Sequence, residues 1–181
     1  MHIKDTKNPV KIGDFVLKTE GPNKIDIKYL PTINKNILTD DAPRVYIFTV
    51  DGIIKKIGGS IQKGGIKGTM NFYISSMTGS PGPVRFIIHL LIEKELREGS
   101  KVEVYMINSP KTIAIIKGLF SEKKIEIASF KEMEDLCKSD YFSKEGRYPD
   151  WNFQENHEEY PHELYKEYLN YHGRRLKKKQ S

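Results

Sequence analysis

Arg44-Val45-Tyr46-Ile47-Phe48-Thr49-Val50, followed by Asp51-Gly52 and then by Ile53-Ile54-Lys55-Lys56-Ile57-Gly58-Gly59-Ser60, organises everything around it. The first run is almost all β-branched or aromatic, and Asp-Gly tolerates the positive φ of a tight turn. The second run returns with similar chemistry, so the seventeen residues read as a β-hairpin.

Downstream, residues 61–83 are rich in Gly, Ser and Pro and read as an inserted loop offering backbone amides outward. A short helix or strand breaks it around Met70 to Ile74. Val84, Ile87, Ile88, Leu91, Ile92 and Leu96 then recur at helical spacing up to Gly99. Lys101 to Ile107 alternates as a strand, and Thr112 to Phe120 is a further apolar strand or a short helix. Ser129-Phe130-Lys131-Glu132 is a capping box for a helix running to about Lys138. Upstream, residues 1–42 form an N-terminal arm with one or two strands, from Phe15-Val16-Leu17 and Ile25-Asp26-Ile27. From Pro161 onward, Leu164, Tyr165, Tyr168, Leu169 and Tyr171 indicate a helix that carries the basic end. The chain therefore reads as one α+β domain over 1–181, a small and mostly antiparallel sheet with flanking helices. Its parts are the arm, a core over 44–154 and a basic C-terminal helix over 155–181.

Composition bounds the function. Among 181 residues, 38% are hydrophobic, which is enough for a core although 30% are charged. No window approaches the roughly 18 apolar residues of a membrane span. The opening Met1-His2-Ile3-Lys4-Asp5 lacks a signal-peptide stretch, so a cytoplasmic protein with no membrane partner is expected. Cys137 is the single cysteine, which excludes an internal disulfide and a cysteine-built zinc site. Any metal must rest on carboxylates, histidines or substrate oxygens. The net charge is +6 and the pI near 9.2, which raises the odds of a polyanionic partner. Five cations in Arg174-Arg175-Leu176-Lys177-Lys178-Lys179 make either a phosphate-seeking tail or a solvated terminus.

In chain order there is a Tyr on the first hairpin strand, Lys-Ile-Gly on the second, Arg-x-x-x-His on the next helix, a Glu on a later helix and an Asn after a Pro-aromatic turn. This order resembles the GIY-YIG nuclease superfamily, and within it the compact type II restriction endonucleases. The matching segments are Val45-Tyr46-Ile47, Lys56-Ile57-Gly58, Arg85-Phe86-Ile87-Ile88-His89, Glu134 or Glu132, and Tyr148-Pro149-Asp150-Trp151-Asn152, spanning roughly Arg44 to Gln154. Arg44-Val45-Tyr46 replaces the first signature triplet and Lys56-Ile57-Gly58 the second, although Lys is known at the second tyrosine position in some restriction enzymes of the family. Lys67 is a weaker stand-in for the family's arginine than Arg85, which has His89 four residues on along the helix.

The resemblance implies Mg²⁺- or Mn²⁺-dependent, site-specific hydrolysis of phosphodiester bonds in double-stranded DNA. Tyr46 would activate water as a phenolate aided by Lys56, Arg85 would grip the scissile phosphate, and His89 would bond the phosphate or the water. One glutamate, Glu134 or Glu132, would hold the metal. Asn152 completes the set. Each residue also has a plainer use: Tyr46 in cross-strand packing, Lys56 as an edge lysine, His89 at the rim of the core, Glu132 in the helix cap, Glu134 as a solvated charge and Asn152 tying its loop. Lys63 and Lys67 in the inserted segment, with Arg174, Arg175, Lys177 and Lys178 at the end, are the expected DNA contacts.

Cutting both strands of a palindrome needs two sites and hence a homodimer. A cognate methyltransferase is implied by the family alone. A homing, repair or phage nuclease on the same core, or a catalytically silent nucleic-acid-binding protein, stand as alternatives.

Overall fold

A computed structural model describes residues 1–108, 112–127 and 130–180, of which 126, 127 and 176–180 are described by their backbone. In chain order the elements are β1 (Val10–Leu17), β2 (Ile25–Tyr29), α1 (Lys35–Thr39), β3 (Arg44–Val50), β4 (Ile53–Ser60), α2 (Gly65–Ile74) and α3 (Pro83–Arg97). After these come β5 (Val102–Asn108), β6 (Thr112–Lys117), β7 (Glu122–Ile127), α4 (Phe130–Glu145) and α5 (His162–Gln180).

The hairpin forms where its sequence places it. Asp51 and Gly52 turn with φ of 48° and 81°, and β3 pairs β4 with Tyr46 opposite Gly58 and Phe48 opposite Lys56. Five strands make one antiparallel sheet in the order β2-β1-β5-β3-β4. β3 is buried along its whole length because strands cover both its edges and helices cover both its faces.

One face packs Phe48, Phe15 and Val104 against Ile66, Met70 and Tyr73 of α2 and Ile87, Ile88 and Ile92 of α3. The other packs Val45, Ile47, Ile54 and Ile57 against Tyr141 of α4. An α+β sheet with helices on its flanks is therefore what the chain builds.

Three expectations are corrected. Residues 1–42 are not an arm: β1 inserts between β2 and β5, and Ile12, Phe15 and Ile25 sit in the core. The helix that breaks the 61–83 segment is longer than expected, running over Gly65–Ile74, with Ile66, Met70 and Tyr73 buried at i, i+4 and i+7. α4 continues to Glu145, well beyond Lys138, because its second half turns a polar face outward and anchors through Tyr141. Ser129 of the expected capping box lies outside the described residues. β6 is a strand but belongs to a separate ribbon with β7.

Candidate active site

Two glycines on β4 open the sheet at its edge. A Cβ on Gly58 would come within 2.4 Å of the Tyr46 hydroxyl, and one on Gly59 within 2.5 Å of Glu134 Oε2. Their bare backbone lets a tyrosine from one side of the strand and a glutamate from α4 approach the same space. The result is a cleft of about 220 Å³ lined by Tyr46, Lys56, Tyr73, Arg85, Glu134 and Glu155 among others. It continues past Gln62, Thr69, Phe72 and Phe130.

Tyr46 and Tyr73 share a buried hydrogen bond of 2.7 Å between their hydroxyls, with rings 6.0 Å apart. Burial pushes Tyr46 up to about 12, against the pull of the Tyr73 bond and the nearby positive Arg85. Burial likewise raises Tyr73 well above the usual tyrosine range. Lys56 stands opposite Phe48 on the paired strand and lines the same cleft, and burial opposes ionisation of Tyr46.

Lys56 is the least ordinary group present. Only 7% of it is exposed, it lines the cleft, and it has no hydrogen-bond or ion-pair partner among the described residues. Burial lowers its pKa to about 8, with Glu155 and Glu134 opposing the fall from a distance. An unpaired, buried ammonium facing an opening is electrostatically prepared for an anion.

Arg85, one turn into α3, is exposed, with its guanidinium carbon 4.2 Å above the Phe72 ring. The stacking holds the planar fork at the cleft while leaving its N–H groups free to meet a phosphate. Glu134 Oε1 accepts from Lys138 Nζ at 2.5 Å, and the same ammonium donates to Glu155. Burial alone would lower Lys138, but the two carboxylate bonds raise it. Burial alone would raise Glu155, but the bond from Lys138, its backbone hydrogen bond, the Lys138 charge and a bond with Asn152 together lower it.

Glu134 is the glutamate of the expected pair that reaches the cleft, while Glu132 is exposed and does not. A hard divalent ion fits Glu134 as a single carboxylate ligand. Among the described residues no three His, Cys, Asp or Glu side chains gather, so water and phosphate oxygens would complete the shell.

His89 and Asn152 are drawn elsewhere. His89 is fully buried; its Nδ1 bonds the Tyr73 carbonyl at 2.8 Å and its Nε2 accepts from the Lys24 backbone at 3.3 Å. Both ring nitrogens are engaged, burial lowers its pKa, and it anchors the end of α2 that carries Tyr73. Asn152 accepts from Ile57 N and donates to Ile57 O, each at 2.9 Å. It clamps β4 beside Gly58 and does not open onto the cleft. Both placements have one cause: each side chain satisfies a buried backbone group that has no strand partner.

Among the expected DNA contacts, Lys63 and Lys67 are exposed around the start of α2. Arg174 is exposed, and Arg175 donates to Ser80 while Tyr171 donates to the Gly79 carbonyl at 3.0 Å. α5 therefore docks on the loop leading to Arg85. Lys177 and Lys178 lie outside the described side chains. Tyr73, Lys138 and Glu155 escaped sequence reading, although the Ile66, Met70, Tyr73 spacing marks a helix whose buried face ends in that tyrosine.

The α+β fold has counterparts among solved structures. The fold is shared with a mutant of bacteriophage T4 EndoII, at a TM-score of 0.55 and 20% identity over 84% of this chain and 98% of that one. Restriction endonuclease HPY188I in complex with product DNA aligns at a TM-score of 0.44 and 16% identity, over 81% of this chain and 86% of that one. No protein-family model and no curated protein matches the chain. No helix among the described residues is long and apolar enough to cross a membrane.

Proposed function

We propose that this chain is a single-domain DNA endonuclease of the GIY-YIG type, site-specific, dependent on Mg²⁺ or Mn²⁺, and active as a homodimer on double-stranded DNA. The observation that carries the reading is the convergence of the Tyr46–Tyr73 hydroxyl pair, the unpartnered Lys56 ammonium, Arg85 and Glu134 in one cleft. The fold it shares with phage EndoII supports the same reading.

Hydrolysis adds water to phosphorus and breaks the bond to the leaving oxygen, through a transition state richer in negative charge than the substrate. Arg85 grips the phosphate with its planar fork, and Lys56 adds a second positive charge from below. Tyr46, fixed by Tyr73, presents its hydroxyl oxygen to the attacking water and orients it. Glu134 would hold the divalent ion, which would supply charge neutralisation for the leaving group. Lys63, Lys67, Arg174 and Arg175 hold the flanking backbone.

The likeness to a phage protein favours a second reading within the same chemistry, a phage-type nuclease on the same core. One experiment separates the two. A large, fully sequenced, unmethylated DNA is incubated with the protein and Mg²⁺ or chelator, alongside Arg85→Ala. Discrete Mg²⁺-dependent bands absent in the variant support the site-specific enzyme, and a smear or nicks support the phage-type nuclease. Intact DNA with every divalent metal overturns both.

A further inference from the structure

The β6–β7 ribbon stands apart from the main sheet. Among the described residues β6 pairs only with β7, in register from Thr112 opposite Ile127 to Lys117 opposite Glu122. A lone two-stranded ribbon is marginal in water, and this one is apolar on its outside. Ile113, Ile115 and Ile116 are each more than half exposed, and Leu119 and Phe120 at the tip are 93% and 100% exposed.

The apolar residues are also one-sided. Successive residues of a strand alternate between faces, so Ile113 and Ile115 occupy one face of β6 and Ala114 and Ile116 the other. Across from Ile115, Ile116 and Lys117 stand Lys124, Lys123 and Glu122 on β7, all exposed. β6 is thus apolar on both faces, while β7 carries four charges together with Ile125 and Ile127. Both edges of the ribbon have outward backbone groups with no strand beside them among the described residues, and β6 is the apolar one.

We propose that β6 pairs antiparallel with β6 of a second copy of this chain about a two-fold axis, joining the two ribbons into a four-stranded sheet. Antiparallel pairing of a strand with its own copy is what a two-fold axis allows. It stacks isoleucine near isoleucine on both faces. It leaves the two charged β7 strands outermost, where charge discourages further strands from adding. Lys117, Lys123 and Lys124 against Glu122 and Glu126 give the ribbon a net charge of +3 − 2 = +1, too little to make nucleic acid its first partner. The exposed surface of the five large apolar side chains is several hundred Å² per copy, of the order of the roughly 800 Å² each partner buries in a stable dimer.

The ribbon springs from the rim of the cleft. Asn108 at the end of β5 pairs with Arg44, and Phe130, just beyond β7, lines the cleft. Joining two ribbons would therefore set two clefts in a fixed relation, as cutting both strands of a duplex requires. That purpose rests on the endonuclease reading; the pairing itself does not.

The test is sedimentation velocity of the full chain without DNA, beside Ile115→Lys/Ile116→Lys. The native protein is expected at twice 20.9 kDa and the double variant at the single mass, with its melting temperature kept, since the ribbon lies outside the two core clusters. A native monomer, or a variant that still dimerises, overturns the proposal. Should the charged variant fail to fold, Ile115→Cys in a Cys137→Ser background tests the same geometry. Oxidation should link two chains on a non-reducing gel, and absence of that band overturns the pairing. A dimer that cuts no DNA leaves this inference standing and removes the endonuclease reading, whereas an active monomer does the reverse.

Discussion

Replacing Lys56 by Met should make the protein more stable and less able to hold phosphate. Burial lowers the Lys56 pKa from 10.5 to about 8. A tenfold loss of proton affinity corresponds to about 1.4 kcal/mol, so keeping this ammonium charged in the fold costs about 3 kcal/mol at pH 7. Methionine keeps the stem and removes the charge, and a gain of about 1 to 3 kcal/mol is expected, or roughly 2–4 °C in melting temperature for each kcal/mol at this chain length. The sign follows from proton binding. Between pH 8 and 10.5 the unfolded chain holds more protons at this position than the fold, so the native penalty disappears as pH rises through that window. Urea unfolding of both proteins at pH 7 and pH 10 measures it: the stability difference should be large at pH 7 and much smaller at pH 10. A Lys56→Met protein that is less stable at pH 7, or a difference independent of pH, would refute the claim that this ammonium is buried without a partner. DNA affinity should fall in the same variant.

Three further outcomes follow from the same contacts. Asn152→Ala strands the buried N–H and carbonyl of Ile57 and should cost about 2–4 kcal/mol in urea unfolding; a loss under about 0.5 kcal/mol would mean that water replaces the amide. Gly58→Ala forces the Tyr46 ring aside and breaks its bond to Tyr73, so cleavage should fall at least tenfold for about 1–3 kcal/mol of stability, and wild-type cleavage would show that the tyrosine position does not matter. Glu155 is held below its ordinary value by Lys138, so it stabilises the fold above the usual glutamate pKa, and that contribution is lost as pH falls through the lowered one. Lys138→Met should flatten the acid limb of the stability profile, and an unchanged limb would assign acid sensitivity elsewhere.

Local chemistry wrote much of this protein legibly. Asp51-Gly52 between two β-rich runs sets a turn, and Pro83 to Gly99 encloses a helix, because turn dihedrals and side-chain period are decided within a few residues. Tyr46, Lys56, Arg85 and Glu134, singled out in the sequence by resemblance, line one cleft. What the sequence could not say was which partner each side chain would find. His89 and Asn152 carry the residue types of a reactive site, yet each is consumed by a backbone group, the latter 95 residues away. β1 enters the sheet through β5, some ninety residues on, and Tyr73 meets Tyr46 only because α2 lies across the sheet. Such contacts depend on chain closure and on the burial of polar groups, which neighbouring residues in sequence do not control. The sequence by itself therefore determined the hairpin, the Pro83–Arg97 helix and part of the cast of polar groups; tertiary structure decided which of them face the cleft, which are spent holding it, and that Tyr73, Lys138 and Glu155 join them.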